Sequence, residues 1–239
     1  MKGTFYGLGV GPGDPDLITV KSLKILQGAD VIVTPTKKMG KPSIAYRIVE
    51  SHIPQGTEVI EMNFPMISLS EERETLQKQW AENADAIEVM LKDGKDVVFL
   101  TLGDPMVFST YSYIMEFLVE RDIEVVTLSG IPSFCNLAAQ VGIPLTQGEE
   151  SLGVVAMTQP MEEIRAILDA HKNIVVMKVS ADNAKLAEEL KARGLEKQFI
   201  LVSNIGMDTQ SVVRDIEVLA GKIPYLSTVL IKKDYDLGE

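Results

Sequence analysis

The sequence predicts an α/β protein of two domains, and the evidence for this is a change of pattern along the chain. In the first half, short apolar runs rich in β-branched residues alternate with longer stretches of helical periodicity. Such alternation is typical of a parallel sheet with helices on both faces. In the second half the helical stretches give way to extended segments, which indicates a mixed sheet. The change falls near residues 143–150, so we expect domains over residues 1–145 and 146–239.

Strands and helices alternate regularly in the predicted N-terminal domain. The strands are expected at residues 4–10, 30–35, 58–62, 97–102 and 123–128. The helices are expected at residues 15–27, 43–52, 70–92, 105–120 and 132–141. The third helix has the clearest apolar stripe, which consists of Leu76, Trp80, Ala84, Ile87 and Leu91. Ser68 and Glu71 match a capping box at its start.

The predicted C-terminal domain begins with the same alternation and ends without it. Strands are expected at residues 151–157, 173–179 and 198–203, with helices at 161–170 and 182–192. Beyond these we expect no further helix, because residues 210–218 and 225–232 alternate like antiparallel strands.

Composition and charge exclude several classes of protein. The 239 residues carry 23 basic and 34 acidic side chains, a net charge of −11. A phosphate backbone needs a basic surface, so nucleic acid is not an expected partner. Cys135 is the single cysteine, which excludes an internal disulfide. The longest uncharged stretch, residues 125–148, contains too many helix breakers for a membrane span, and no signal peptide is predicted. We therefore expect a soluble, cytoplasmic protein without a membrane partner.

A glycine-rich loop, residues 7–15 (GLGVGPGDP), follows the first predicted strand. It does not match the dinucleotide-binding fingerprint, because the sixth position counted from Gly7 is Pro12, which has no N–H for a pyrophosphate. The second strand also ends without the acidic residue that holds a ribose in such folds. No Gly-Lys-Ser/Thr sequence is present, which excludes a nucleoside triphosphate P-loop. What remains is a loop whose backbone passes close to another group.

Two further loops of small residues follow predicted strands. They are residues 101–108 (TLGDPMVF) and residues 129–134 (SGIPSF). Asp14 and Asp104 each precede a proline, which is typical of a helix start with a capping carboxylate. Open α/β sheets bind ligands at the carboxyl ends of their strands, so the three loops together predict a ligand site. Helix N-termini at this position present free N–H groups to an anionic group such as a carboxylate.

These motifs, in this order, resemble the tetrapyrrole methylases, S-adenosylmethionine-dependent enzymes of corrin and sirohaem synthesis. The resemblance covers essentially the whole chain and rests on residues 10–19 (VGPGDPDLIT), 103–105 (GDP), 129–133 (SGIPS) and 142–145 (GIPL). It implies a ligand cleft between the two α/β domains. Within the family, residues 43–45 (SIA), 63–66 (NFPM) and 225–230 (YLSTVL) are most similar to enzymes that methylate C20 of precorrin-2 or its cobalt complex in cobalamin biosynthesis.

The resemblance also implies which residues bind the two reactants. The carboxylate and sulfonium end of S-adenosylmethionine is expected at the loop after the fourth strand, the ribose at the start of the fifth helix, and the adenine in the C-terminal domain. The cofactor residues so implied are Pro12, Leu102, Gly103, Asp104, Val107, Phe108, Pro132, Ser133, Phe134, Met177, Ile205, Gly206, Leu226, Ser227 and Thr228. The tetrapyrrole is expected at Gly11, Pro12, Lys37 and Arg47, although a basic segment of this kind is also typical of a solvated surface.

Methyl transfer from a sulfonium is an in-line displacement, so alignment of the donor methyl with the acceptor carbon supplies much of the catalysis. A base must remove the C20 proton, and Asp104 is the candidate by position. His52 and His171 lack the spacing of metal ligands, so we expect no protein-bound metal and assign any cobalt to the substrate. By resemblance alone we expect S-adenosylhomocysteine as product and a homodimer.

Two alternatives remain open from the sequence. The chain could act at another ring position or in the sirohaem branch. It could also be a non-catalytic small-molecule binding protein of the same fold, because a fold does not determine a function.

Overall fold

In the computed structural model, the described residues are 2–36, 40, 43–64 and 73–238, with the side chain of Arg73 excepted. The chain divides into two compact units, Met1–Pro132 and Ser133–Glu239. Each unit is built around one five-stranded sheet.

The sheet of the first unit is parallel throughout. Its strands are β1 (Phe5–Gly9), β2 (Val31–Thr36), β3 (Glu58–Asn63), β4 (Val97–Thr101) and β5 (Val125–Leu128). Their order is β3-β2-β4-β1-β5. Every residue of the central strand β4 is buried, as an apolar strand covered on both faces requires.

Helices cover this sheet on both faces, as the sequence predicts. The helices are α1 (Val20–Gln27), α2 (Ile44–Val49), α3 (Arg73–Lys92) and α4 (Tyr111–Val119), with 3-10 turns at Pro15–Leu17 and Glu50–His52. Helices α3 and α4 share one core with Val97 and Phe99 of β4. Val98 and Leu100 are also buried, and they point to the opposite face because side chains alternate along a strand. Helix α2 contacts β4.

The sheet of the second unit is mixed. Its strands are β6 (Leu152–Ala156), β7 (Asn173–Met177), β8 (Phe199–Ser203), β9 (Ser211–Val213) and β10 (Ser227–Lys232). The order is β6-β7-β10-β8-β9, with β10 antiparallel to both of its neighbours. Strands β6, β7 and β8 therefore run in the same direction, and their carboxyl ends lie at the edge where β10 begins.

The helices of the second unit are α5 (Ser133–Val141), α6 (Met161–Ala170), α7 (Asn183–Ala192) and α8 (Ile216–Ala220), with a 3-10 turn at Val179–Ala181. Helices α6, α7 and α8 share one core on the sheet. Helix α5 packs on the other face, where Leu137 contacts the core that contains Val175 and Ile200. Because α5 packs on the second sheet, the division falls after Pro132, whereas the change of sequence pattern predicts it after residue 145.

Two helix starts lie later than the sequence predicts. Helix α1 begins at Val20 behind Thr19, whose Oγ1 accepts the Ser22 N–H at 3.1 Å, and only a 3-10 turn follows Asp14. Helix α4 begins at Tyr111, so the residues after Asp104 form a loop. Proline is common at the first position of a helix, but Pro15 and Pro105 are not sufficient to start an α-helix at these two places.

The prediction of a strand over residues 210–218 is wrong in its second half. Residues 211–213 form β9, but α8 begins at Ile216. The Asp215 carboxylate accepts the Glu217 N–H at 2.8 Å and so starts a helical turn that the alternating apolar pattern conceals. The capping box at Ser68 and Glu71 lies outside the described residues. Among the helices that the structure describes, none is long and apolar enough to cross a bilayer.

Candidate functional site

The carboxyl ends of β1, β4 and β5 lie side by side in the first sheet. The chain leaves β1 toward β2 and leaves its neighbour β4 toward β5, in opposite directions across the sheet. Open α/β sheets bind ligands where the connections diverge in this way. We call the loops that follow these three strands the first edge; it comprises residues 10–14, 102–109 and 129–132.

Glycines allow the loops of the first edge to approach at backbone distance. A Cβ on Gly130 would lie 2.1 Å from the carbonyl oxygen of Gly103, and a Cβ on Gly9 would lie 2.6 Å from the same oxygen. Backbone atoms cannot move aside as a flexible side chain can, so only glycine fits at these positions. The Gly103 N–H also donates to the carbonyl of Gly11 at 2.8 Å. The close approach that the sequence indicates is therefore made to neighbouring loops.

The carboxylate of Asp104 joins two of these loops. Its Oδ1 accepts the N–H of Met106 at 2.8 Å, and its Oδ2 accepts the N–H of Gly130 at 3.0 Å. The first bond caps a turn within the same loop. The second bond connects that loop to the one after β5. Asp104 thus holds the first edge in shape.

The loop after β4 also contains a strained residue. Phe108 has a φ of 48°, in the left-handed region, and its side chain is 40% exposed. A residue with a Cβ is disfavoured there by roughly 1–2 kcal/mol. Such conformations cluster at functional sites, where the surrounding structure maintains them.

The second unit has a comparable edge, at the ends of β7 and β8 and the start of β10. We call residues 177–178, 204–206 and 226–228 the second edge. The hydroxyls of Ser203 and Ser227 lie 2.7 Å apart, and Ser227 donates onward to the carbonyl of Pro224 at 2.6 Å. The Asn204 N–H donates to the carbonyl of Leu226 at 2.8 Å. Side-chain hydrogen bonds therefore help to fix this edge.

Left-handed residues mark the second edge as well. Lys178 and Asn204 have φ values of 54° and 51°, and each directly follows a strand. In the described part of the chain, four non-glycine residues have a positive φ; three belong to the two edges, and the fourth, Asp122, lies in the turn after α4.

The two edges contain most of the residues that the sequence singles out. The first edge holds Gly11, Pro12, Leu102, Gly103, Asp104, Val107, Phe108 and Pro132. The second edge holds Met177, Ile205, Gly206, Leu226, Ser227 and Thr228. Ser133 begins α5, and Phe134 packs into the core of the second unit. Arg47 is exposed on α2, and Lys37 lies outside the described residues.

Two buried polar side chains near these segments are not among the residues that the sequence motifs predict for the site. Thr101 Oγ1 and Asn136 Nδ2 have no hydrogen-bond partner among the residues that the structure describes. Both side chains are buried, at 5% and 7% exposure. A hydroxyl at the carboxyl end of an apolar strand and an amide on the apolar side of a helix are the sequence signals that could have identified them.

Other reactive groups have ordinary surroundings. Within residues 2–36, 40, 43–64 and 73–238, no three His, Cys, Asp or Glu side chains are grouped as metal ligands. The Cys135 side chain is exposed, but partial desolvation raises the pKa of its thiol, which opposes a role as a thiolate nucleophile.

Comparison with protein families gives the decisive observation. The family model of the Tetrapyrrole (Corrin/Porphyrin) Methylases matches residues 4–217. The chain belongs to the tetrapyrrole methylases. The resemblance stated from the glycine-rich and Gly-Asp-Pro motifs is thereby confirmed.

Curated relatives align with this tetrapyrrole methylase over nearly its full length. It is 34% identical to the cobalt-precorrin-2 C(20)-methyltransferase of Salmonella typhimurium, over 100% of both chains. It is 36% identical to a probable cobalt-precorrin-2 C(20)-methyltransferase of Methanocaldococcus jannaschii, over 95% of both. A precorrin-2 C(20)-methyltransferase of a Sinorhizobium species is 28% identical, over 96% of this chain and 95% of that one.

Solved structures share the fold. A cobalt precorrin-4 methyltransferase superposes with a TM-score of 0.74 at 23% identity, covering 96% of this chain and 94% of that one. The uroporphyrin-III C-methyltransferase of Thermus thermophilus, solved with S-adenosylhomocysteine, superposes with a TM-score of 0.69 at 21% identity, covering 97% and 98%. These likenesses confirm the prediction of one parallel and one mixed α/β sheet.

Proposed function

We propose that this tetrapyrrole methylase transfers the methyl group of S-adenosylmethionine to C20 of cobalt-precorrin-2, a step of cobalamin biosynthesis. The observation that carries the proposal is the full-length similarity to two relatives of that name, at 34% and 36% identity. The metal-free substrate precorrin-2 has weaker support, since the relative with that name is 28% identical.

The residues of the first edge fit the methionine end of the cofactor. Its three loops contain two carboxylates, Asp14 and Asp104, and no lysine or arginine. Such an edge suits a ligand that carries a sulfonium and an ammonium group, because opposite charges attract and no cation of the loops opposes them. Asp104 orients the loop around Leu102, Gly103 and Val107 through its two backbone hydrogen bonds.

The residues of the second edge fit the adenine. Met177 and Leu226 are half-buried and apolar, which suits a flat aromatic ring. Ile205, which directly precedes Gly206, is buried. Ring recognition in such sites needs a few polar groups for orientation. Backbone groups and the hydroxyl of Thr228 can serve that purpose, while the Ser227 hydroxyl is engaged by Ser203 and Pro224. Ser133 and Phe134, at the start of α5, are assigned to the ribose side.

The chemistry needs no activated side-chain nucleophile, because the attacking group is an electron-rich meso carbon of the acceptor. The cofactor supplies the methyl group as a sulfonium substituent. The protein holds the reactants in line and keeps their separation short, which is where most of the rate gain in such a displacement arises. Each oxygen of Asp104 accepts one N–H and retains a second lone pair. Asp104 is therefore proposed as the group that takes the C20 proton.

The proposal is tested by incubating the purified protein with methyl-labelled S-adenosylmethionine and either cobalt-loaded or metal-free precorrin-2. Mass and NMR analysis of the product should show one labelled methyl at C20, formed faster with the cobalt-loaded ring. A methyl at another position would reassign the chain within the family. Binding of S-adenosylhomocysteine without turnover on either ring would instead support a non-catalytic binding protein.

Two further properties are proposed from the resemblance. The chain is expected to form a homodimer and to act in the cytoplasm with its tetrapyrrole substrate. Light scattering of the purified protein checks the first property, and a mass near the 26.2 kDa of one chain would contradict it.

A further inference from the structure

We infer that Lys232, the last residue of β10, is a positioning residue for the cofactor: it anchors the chain that follows α5 and so holds the start of that helix, which is assigned to the ribose side. The inference deepens the proposed function and rests on it. Lys232 lies at the opposite end of β10 from Ser227 and Thr228 of the second edge. Its effect on the cofactor is therefore transmitted through the fold.

The ammonium group of Lys232 is enclosed by the protein. The residue is fully buried, whereas the other lysines that the structure describes are at least partly exposed. Its Nζ donates to the carbonyl of Leu145 at 3.2 Å and lies 3.6 Å from a carboxylate oxygen of Glu150. The ring of Tyr235 lies beneath it, with the ring centre 4.8 Å from Nζ. A buried charge needs such partners, because it has lost its water.

Two of these partners belong to the segment that joins α5 to β6, residues 142–151, which we call the connector. Glu150 also accepts the Gln147 N–H at 3.0 Å, and the Gln147 side chain accepts the Tyr235 hydroxyl at 3.1 Å. The Gln147 N–H and the charge of Lys232 lower the pKa of the Glu150 carboxyl, so it is the ionised partner that the ammonium requires. Lys232 therefore lies within a polar cluster that ties the connector to the end of β10.

The connector begins as a continuation of α5. The helix ends at Val141, and the N–H of Ile143 donates back to the carbonyl of Ala138 at 3.1 Å. Leu145, whose carbonyl Lys232 binds, follows two residues later. A helix of nine residues is about 13 Å long, so a bond that fixes its last turn also fixes its first.

The first turn of α5 shares a core with the second edge. The helix packs on the sheet face that carries Leu230, and Lys232 lies on the same face because side chains alternate along β10. Phe134, in the first turn, shares the core of this face with Met177 and Ile205. A shift of α5 along the sheet would therefore displace the proposed ribose residues relative to the proposed adenine residues.

Stability alone does not explain a lysine at this position. An apolar side chain is often as stable as a buried ion pair, because no charge has to leave water. An apolar side chain would, however, pack against the connector in more than one register. The ammonium of Lys232 selects the register in which the Leu145 carbonyl meets it, so it contributes specificity of arrangement.

Titration calorimetry of the full-length chain with S-adenosylhomocysteine tests the inference, because it separates the dissociation constant from the number of binding sites. Lys232→Met keeps an apolar stem and removes the ammonium. It should raise the dissociation constant about fivefold, the equivalent of one ordinary hydrogen bond, with the number of sites unchanged. A merely structural role would instead lower the number of sites and leave the dissociation constant unchanged.

Ile231→Val is the matched control. Ile231 precedes Lys232 in β10, is also fully buried, and belongs to the core on the opposite face, with α6, α7 and α8. The substitution removes one methyl group from that core and should lower the stability. Its dissociation constant should stay within about twofold of wild type, because the core of α5 is not changed.

Glu150→Gln is a milder second variant. It keeps the shape and an acceptor oxygen but removes the charge that faces Lys232. The dissociation constant should rise about threefold, less than in Lys232→Met, because a neutral acceptor binds an ammonium more weakly than a carboxylate does. The double variant should bind no more weakly than Lys232→Met alone, since both changes act on one contact.

The outcomes separate the two proposals. An unchanged dissociation constant in both Lys232→Met and Glu150→Gln, or an equal rise in Ile231→Val, would overturn the inference and leave the proposed function standing. Glu150→Gln decides alone if Lys232→Met does not fold. Failure of the wild-type protein to bind S-adenosylhomocysteine would overturn both proposals.

Discussion

The loops of the first edge touch each other at backbone distance, in addition to the bridge made by Asp104, whereas the second edge relies more on side-chain hydrogen bonds. At the first edge the carbonyl oxygen of Gly103 lies only 2.6 Å from the position that a Cβ on Gly9 would take, and 2.1 Å from that of a Cβ on Gly130. At the second edge the Ser203 and Ser227 hydroxyls bond each other, and the side chain of Gln210 accepts the N–H of Gly206 at 2.7 Å.

The difference shows two ways of fixing a loop at the end of a strand. Backbone contacts leave no room for adjustment, so a single added methyl group displaces a neighbouring strand end. Side-chain contacts can be rearranged or replaced by water, so the loss of one has a smaller effect. We therefore expect substitutions at the first edge to have the larger effects.

The largest effect is expected for Gly130→Ala. Its Cβ would lie 2.1 Å from the Gly103 carbonyl oxygen, so the free energy of unfolding should fall by about 3 kcal/mol, the upper range for overpacked sites. Denaturant unfolding followed by circular dichroism measures it. Gly28→Ala is the matched control, because its Cβ would lie 3.6 Å from the nearest atom and its φ is −101°. Equal stability of the two variants would refute backbone packing as the basis of the first edge.

The next effect is expected for Asp104→Ala, which leaves the N–H groups of Met106 and Gly130 without their acceptor. Methyl transfer should fall at least tenfold as the loop loses its alignment, with a loss of stability of about 1–3 kcal/mol. Full activity with intact folding would exclude both the orienting and the catalytic role.

Two control variants show whether the loss of activity is specific to Asp104 and whether its charge is needed. Asp215→Ala removes a comparable turn-capping carboxylate in the second unit and should leave methyl transfer unchanged. Asp104→Asn keeps one acceptor; it should retain part of the activity if Asp104 acts by orientation, and should match alanine, with an altered pH profile, if Asp104 takes the C20 proton.

A smaller effect on stability is expected at Glu189, which lies in the second unit outside the second edge. Hydrogen bonds from Arg165 and Arg193 lower the pKa of Glu189 from 4.5 to about 2. Because the folded pKa is depressed, this stability is present above pH 4.5 and is lost as the pH falls toward 2. Arg165 is half-exposed, so we expect a loss of about 1–2 kcal/mol after allowance for solvent screening.

The measurement for Glu189 is the difference in unfolding free energy between wild type and Glu189→Gln at pH 6 and near pH 2.5. The difference should shrink at low pH, since below pH 4.5 the carboxylate is protonated in the unfolded chain and folding must then release that proton. A pH-independent difference for Glu189→Gln would contradict the lowered pKa.

The smallest effect is expected for Lys178→Gly, at a left-handed residue of the second edge. Glycine relieves the backbone strain, so the free energy of unfolding should rise by about 0.5–1 kcal/mol. Lys178→Ala retains a Cβ and should show no gain. Equal stability of the glycine and alanine variants would indicate that the backbone at Lys178 is not strained.

Much of the fold was predictable from local patterns. The five strands of the first sheet follow from apolar runs, and the apolar stripe of α3 from Leu76 to Leu91 is buried as expected. The start of α4 and the existence of α8 were not predictable in the same way. The Gly-Asp-Pro sequence at 103–105 lies in a loop and does not begin α4. The helical turn that begins at Asp215 lies inside a stretch whose alternating pattern predicts a strand.

The candidate site was predictable to the extent that it consists of loops after strands. Small residues at 10–14, 102–105 and 129–132 pointed to one edge, because parallel strands bring their carboxyl ends together. The missing partner of the Thr101 hydroxyl could not be foreseen, since it depends on which atoms surround that hydroxyl after folding.

The sequence by itself determined the types of the main elements, the loops that carry small residues and the family to which the chain belongs. These depend on periodicity, turn chemistry and motif order, which neighbouring residues encode. Only the tertiary structure decided that α5 packs with the second unit, that β10 lies between β7 and β8, and that Asp104 binds the N–H of Gly130. Each of these joins residues distant in sequence, and their pairing is selected by packing of the whole core rather than by local preference.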